Sequence, residues 1–219
     1  MSNIVLNELD IELEKRGHKF VRYADDCNIY VKSEKAGQRV MEGISKFIEE
    51  KLKLKVNTGK SAVAMPSDRK FLGFSFTKEE IPRITVSKEA IKKFKDRIRE
   101  ITKGIRRVSF MRLMSELKTY MTGWRSYFRI AGFKGIFKDL DGWVRRRIRC
   151  YIWQQWTGFK ARRDKLVKFG IPIELAAKAA SSRLGAWRLS TSQVMGRAFP
   201  NKYFDQFKLP RLYDELKPR

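Results

Sequence analysis

Lys19-Phe20-Val21-Arg22-Tyr23-Ala24-Asp25-Asp26-Cys27-Asn28-Ile29-Tyr30-Val31 is the stretch on which the reading of this chain turns. Two runs rich in β-branched and aromatic residues, 19–23 and 27–31, flank a pair of acids. Their partial alternation predicts two short strands joined by a tight turn. Asp25 and Asp26 stand at the expected apex. By residue type the pair reads two ways. Asp is a turn former because its short side chain hydrogen-bonds nearby backbone, so a plain turn is the simpler account. Yet adjacent carboxylates repel each other unless a cation neutralises both, and a tight hairpin turn ordinarily draws on Gly or Asn. On the second account the pair is a metal site. Magnesium takes hard oxygen ligands from one or two carboxylates and leaves its other positions to phosphates and water, which points to phosphoryl transfer.

The neighbouring pattern predicts an α+β fold. Residues 3–16 carry Ile4, Val5, Leu6, Leu9, Ile11 and Leu13, as expected of a helix closed by Gly17. Residues 33–52 place Ala36, Val40, Ile44, Phe47, Ile48 and Leu52 on one helical face, with Ser33 as its cap. Residues 53–65 read as a strand returning to the sheet, and 71–77 with 81–86 as a second hairpin around Lys78-Glu79-Glu80. Residues 1–86 are therefore expected to form a small antiparallel sheet backed by two helices. Past Ser87 the chain turns helical. Ser87-Lys88-Glu89-Ala90 resembles a capped start for a helix ending at Gly104, and 109–130 and 136–156 supply two more amphipathic helices. Three helices on short connections predict a bundle, followed by short helical patterns near 162–169, 173–181 and 192–198.

Charge separates the same two regions. The chain has 49 Lys and Arg against 24 Asp and Glu, a formal net charge of +25. Residues 1–86 hold 16 basic and 13 acidic residues (net +3), whereas 87–219 hold 33 and 11 (net +22). The second region is thus the electrostatic footprint of a polyanionic partner. Arg145, Arg146, Arg147 and Arg149, with Lys160, Arg162 and Arg163, form its densest clusters and are interleaved with Trp143, Tyr151, Trp153 and Trp156. Arginine forks onto phosphate and stacks on bases, so this mixture suits RNA. Trp143 and Trp153 are read as core instead, as are Trp124, Tyr127 and Phe128. No apolar run approaches the roughly 20 residues needed to span a bilayer, which argues against a membrane partner. Cys27 and Cys150 are the only cysteines and His18 the only histidine. Those counts predict no disulfide, no zinc site and a cytoplasmic location.

The residues also resemble a known family. Tyr23-Ala24-Asp25-Asp26 looks like the Y-A-D-D box of reverse transcriptases, and its surroundings look most like group II intron-encoded reverse transcriptase/maturases of bacteria. Residues 2–10 are similar to a palm helix of that family. Residues 54–61 are similar to the segment whose lysine, here Lys60, lies near the leaving pyrophosphate. Phe71-Leu72-Gly73-Phe74 matches the F-L-G-F box that helps seat the primer end, and residues 117–128 and 140–149 resemble the maturase-specific thumb.

The resemblance implies the C-terminal half of a palm over 1–86, a helical thumb or maturase domain over 87–158, and a basic helical extension over 159–219 suited to target DNA. It implies that Asp25 and Asp26 bind Mg2+ and are catalytic, with Tyr23 and Ala24 near the primer end. The implied activity is RNA-templated DNA synthesis by two-metal phosphoryl transfer on an RNA template–DNA primer duplex. Binding of group II intron RNA, for splicing and mobility, goes with it. A two-metal site needs a further carboxylate, supplied in the family by a strand well before the box. Only Glu8, Asp10, Glu12 and Glu14 precede the box here, on a helical stretch. The fingers and first catalytic strand are accordingly expected to be missing, and the fragment alone to be inactive. The alternative reading is a non-catalytic, RNA-binding maturase fragment that assists splicing.

Overall fold

The computed structural model describes residues 2–103, 108–132 and 134–213. Helix α1 (Ser2–Lys15) buries Leu6, Leu9 and Leu13, one residue per turn along a single face, while Ile4, Val5 and Ile11 stay exposed. It ends where the sequence places its stop. Gly17, at φ 70°, donates to the Glu14 carbonyl at 2.8 Å, and His18 donates to the Leu13 carbonyl at 3.0 Å. That pair of bonds closes a helix through a left-handed residue, which glycine adopts without steric cost.

Strands β1 (Lys19–Tyr23) and β2 (Asp26–Tyr30) then pair antiparallel, from Lys19 opposite Tyr30 to Tyr23 opposite Asp26. Phe20, Cys27 and Ile29 pack against the core of Leu6, Leu9, Leu13, Ile44 and Leu52, whereas Val21, Tyr23 and Tyr30 are exposed. Helix α2 (Glu34–Glu50) begins at the expected cap, Ser33, whose Oγ accepts from the Ala36 N–H at 3.2 Å. It adds Val40, Ile44, Phe47 and Ile48 to that core.

Residues 53–65, expected as a strand, are irregular. A strand is defined by its ladder, and no described strand pairs with this stretch. Its backbone is satisfied locally: Leu54 donates to the Ile48 carbonyl at 3.1 Å and Lys60 to the Asn57 carbonyl at 3.0 Å. One side chain anchors it. Val63 packs so closely on helix α2 that a Cβ at Gly37 would lie 2.5 Å from its Cγ1. Beyond a single 3-10 turn at Pro66–Asp68, strands β3 (Phe74–Phe76) and β4 (Ile84–Val86) occupy the positions of the second expected pair, three residues each.

The described residues divide into two compact units, one ending at Pro82 and one starting at Arg83. The second unit is built on helices α3 (Lys88–Ile101), α4 (Phe110–Phe128) and α5 (Lys134–Gln155), near the predicted spans. Ser87 Oγ accepts from Ala90 N–H and Ser109 Oγ from Arg112 N–H, so two of these helices are capped by serines. Their core is aromatic. Phe94 lies 4.5 Å from Trp124 between ring centroids, and Trp124 lies 4.6 Å from Phe128. Tyr127, read as core, is instead exposed, because the buried stripe of α4 runs through Leu113, Leu117, Met121, Trp124 and Phe128.

Five shorter helices follow: α6 (Phe159–Lys168), α7 (Ile173–Ala180), α8 (Ala186–Leu189), α9 (Gln193–Ala198) and α10 (Asn201–Asp205). Trp156, Phe169, Phe199 and Tyr203 form a second aromatic cluster. The end of the described chain is latched onto α5. Asp141 accepts from Leu212 N–H on one carboxylate oxygen and from Tyr213 N–H on the other, each at 2.9 Å, and Arg145 lies 3.3 Å away.

Candidate metal-binding hairpin and nucleic-acid interface

Because Tyr23 pairs with Asp26, the loop between the strands holds two residues, Ala24 and Asp25. The apex therefore sits one position earlier than expected, and Asp26 is the first residue of β2. Ala24 has φ 54°, a left-handed conformation that an L-residue with a Cβ adopts at a cost of about 1–2 kcal/mol. Tyr23, Ala24, Asp25 and Asp26 are all exposed. Among the described residues, neither carboxylate has a hydrogen bond or an ion pair.

The nearest arginine is committed elsewhere. Arg22 donates from Nε to Asp10 Oδ1 at 2.7 Å and from Nη2 to Asp10 Oδ2. Its Nη1 donates to the Ala24 carbonyl at 2.8 Å and to Asn3 Oδ1 at 3.2 Å. The hydrogen bond to Asp10 holds the guanidinium above its ordinary pKa. Asp10, one of the four acids before the box, is thus the partner of Arg22. Sequence reasoning did not single out Arg22, although a signal was present. Strand alternation puts Arg22 on the same face as the inward Phe20, where an arginine requires an acceptor. Beside them, burial and then the Asp10 charge push the Cys27 thiol up to about 11, against a smaller opposing effect of Arg22.

Two adjacent, exposed carboxylates are hard donors that fit a divalent cation. They fit part of a two-metal site. Among the described residues no three acids, histidines or cysteines come together as a metal-binding group.

Lys60 is exposed at a turn, where its N–H bonds Asn57 Oδ1 at 3.2 Å and its carbonyl accepts from Arg69 at 2.7 Å. Phe71 and Phe74 bond each other reciprocally, N–H to carbonyl at 2.9 Å in both directions, around Leu72 at φ 52° and Gly73 at φ 81°. Two successive positive φ angles make this a tight primed turn. The F-L-G-F box is thus a turn opening into β3, and the left-handed backbone accounts for Gly73.

The arginine clusters of the second unit point largely inward. Arg145 is 5% exposed and paired with Asp141. Arg146 sits 3.7 Å from the Trp187 ring centroid and donates to the Trp187 carbonyl. Arg147 donates twice to Thr102 Oγ1, and burial followed by the Arg99 charge lowers its pKa against a raising effect of Cys150. Arg149 donates to the Phe199 carbonyl, and burial lowers its pKa as well. Arg162 donates to the Trp156 carbonyl and lies over the Trp153 ring, while Arg163 pairs with Asp164. Lys160 is exposed. Trp153 is core as expected, and Trp143 is half-buried beneath Lys95 and Arg99. Sequence reasoning also passed over an open recess of about 400 Å³ in this unit, lined by Arg197, Lys202, Tyr203 and Gln206 among others.

Residues 1–76 match the family model described as reverse transcriptase (RNA-dependent DNA polymerase). Residues 91–170 match the one described as group II intron, maturase-specific domain. No curated protein matches the chain. Among the described residues no helix is long and apolar enough to cross a membrane.

Proposed function

The chain belongs to the group II intron reverse transcriptase/maturase family, and from that premise we propose that Asp25 and Asp26 are the metal-binding catalytic carboxylates of RNA-templated DNA synthesis. The second unit, on the same proposal, binds intron RNA and the template–primer duplex. The observation that carries the first part is the state of the two acids: exposed, adjacent and unpaired in a chain of net charge +25, beside an arginine that bonds Asp10 instead. Carboxylates left without a cation in so basic a protein are available to an external one. Magnesium is the cation proposed. When bound, it would supply charge neutralisation at the attacking and leaving oxygens of an in-line displacement.

The chain's own share of the work is to hold Asp25 and Asp26 at a two-residue turn and to exclude a competing cation from them. Tyr23 and Ala24, at the same turn, are proposed to lie near the primer end. Phe71-Leu72-Gly73-Phe74 and Lys60 are proposed to lie along the primer and phosphate path. A further carboxylate is required, and none of the described acids is grouped with the pair.

That shortfall favours a second reading, in which the chain binds intron RNA without polymerising. Primer extension on an RNA template with magnesium separates the two. Extension abolished by Asp25→Asn supports the enzyme reading. Absence of extension, with tight binding of intron RNA that weakens steeply with salt, supports the binding reading. Binding no tighter than that of a generic basic protein would sink both.

For the interface, exposed cations are proposed as the phosphate contacts, Lys160 foremost, with Arg197 and Lys202, and the half-buried Arg163 beside them. Arg146, Arg147, Arg149 and Arg162 contribute through whatever donors their internal bonds leave. Lys160→Gln is expected to lower the slope of log affinity against log salt by about 1, whereas Arg145→Met leaves it unchanged.

A further inference from the structure

Arg22 is three residues from Asp25 and four from Asp26, yet it pairs with neither. Its guanidinium is taken up by four other acceptors on three residues: both oxygens of Asp10, the Ala24 carbonyl at 2.8 Å and Asn3 Oδ1 at 3.2 Å. The pair is largely shielded from water, with 13% of the Arg22 side chain and 24% of the Asp10 side chain exposed. A forked, two-point bond between guanidinium and carboxylate fixes orientation as well as distance, which a lysine could not do.

The bonds form a continuous line from the core to the acids. Leu6, Leu9 and Leu13 fix α1 in the first unit's core. Asp10 projects from α1 between Leu9 and Leu13 and holds Arg22. Arg22 in turn holds the carbonyl of Ala24, the residue whose left-handed backbone sets the direction in which the chain enters Asp25 and Asp26. A turn of this kind without glycine persists only where its surroundings over-determine it.

We infer that Asp10 and Arg22 form a positioning brace with two effects: it pins the Ala24 turn that aims Asp25 and Asp26, and it keeps the Arg22 guanidinium from neutralising them. The first effect stands on the hydrogen bonds alone. The second rests on the proposed metal-binding role of the acids. Together they make the two partners unequal. Removing Arg22 loosens the turn and leaves Asp10 without its partner, but frees no cation near the acids. Removing the Asp10 charge loosens the turn and also frees a cation within reach of the carboxylates.

The test uses the full chain, with Mn2+ as the probe. Amide hydrogen exchange at Tyr23 and Asp26, the paired residues that close the turn, is expected to accelerate about tenfold or more in Arg22→Met and in Asp10→Asn, with α3 to α5 unchanged. Arg22→Lys, which keeps the charge and loses the fork, is expected to accelerate it likewise and guards against a variant that merely misfolds. Mn2+ affinity, read by paramagnetic broadening of the hairpin resonances, is expected to fall severalfold in Arg22→Met. It is expected to fall further in Asp10→Asn and to return to the Arg22→Met level in the double variant. Unaltered exchange at the turn in Arg22→Met overturns the brace. Equal Mn2+ affinity in the two single variants overturns the shielding. If the unaltered chain broadens no hairpin resonance with Mn2+, the metal reading fails, and the exchange measurement decides the brace by itself.

Discussion

Asp25 with Asp26 in the first unit and Asp141 in the second are acids in opposite circumstances. Asp141 is 7% exposed, and each of its oxygens accepts a backbone N–H while Arg145 balances its charge. Asp25 and Asp26 are open to solvent with no described partner. The difference separates structural from functional carboxylates. A buried acid survives only when its lone pairs and charge are satisfied within the fold, whereas an exposed adjacent pair is satisfied only by something from outside. The arginines divide differently. Arg22 and Arg145 are both internal, but one braces a turn that presents acids and the other partners an acid that closes the chain end.

The largest expected effect tests the structural side. Asp141→Ala strips the Leu212 and Tyr213 N–H groups of their acceptor and leaves the Arg145 charge buried alone. Its Nε already has no described partner. Removing one member of a buried pair costs about 3–5 kcal/mol. All five tryptophans lie beyond Pro82, so urea unfolding followed by tryptophan fluorescence reports on this unit. A loss below about 1 kcal/mol would show that Asp141 is no latch.

Much of this arrangement was legible in the residues, and the exceptions share a cause. Helices α1 to α5 follow from apolar spacing and from caps at Ser33, Ser87 and Ser109, all of which are local. The hairpin follows from two β-rich runs, and the acid pair from their ordered neighbours. Residues 53–65 were misread because alternation marks a strand only when a partner completes the ladder, and that partner is not local. The internal use of Arg146, Arg147 and Arg149 was invisible for a similar reason. Their acceptors, Thr102, Trp187 and Phe199, lie 40 or more residues away in sequence. Arg22 and Asp10 are 12 apart, and only strand alternation hinted at that bond.

A smaller effect probes the left-handed turn on the functional side. Ala24→Gly relieves the steric cost of φ 54°, and even after the added freedom of the unfolded chain a net gain of about 0.5–1 kcal/mol is expected. The sign carries the information. Were the turn unstrained, glycine would lower stability by a similar amount. Amide exchange at β1 and β2 measures it, and Asp141→Ala should not alter the result, since sites without shared partners add.

The smallest effect concerns Cys27, which directly follows Asp26 and lies opposite Arg22 in the hairpin. Its thiol, raised to about 11 by burial and then by Asp10, is expected to alkylate slowly with iodoacetamide at pH 8. With chelator present, the rate should climb about tenfold per pH unit toward pH 11 and then level, because the thiolate is the nucleophile. The linkage runs in the same direction. An unfolded thiol ionises near pH 9 and the folded one near 11, so the contribution to stability is complete below about 9 and is lost as pH rises through about 11. Asp10→Asn removes a raising charge while Arg22 continues to lower the value, so the profile should shift toward lower pH. Arg22→Met should shift it the other way. Opposite shifts would place both members of the brace electrostatically beside Cys27, on the inner face of the hairpin whose tip carries the two acids.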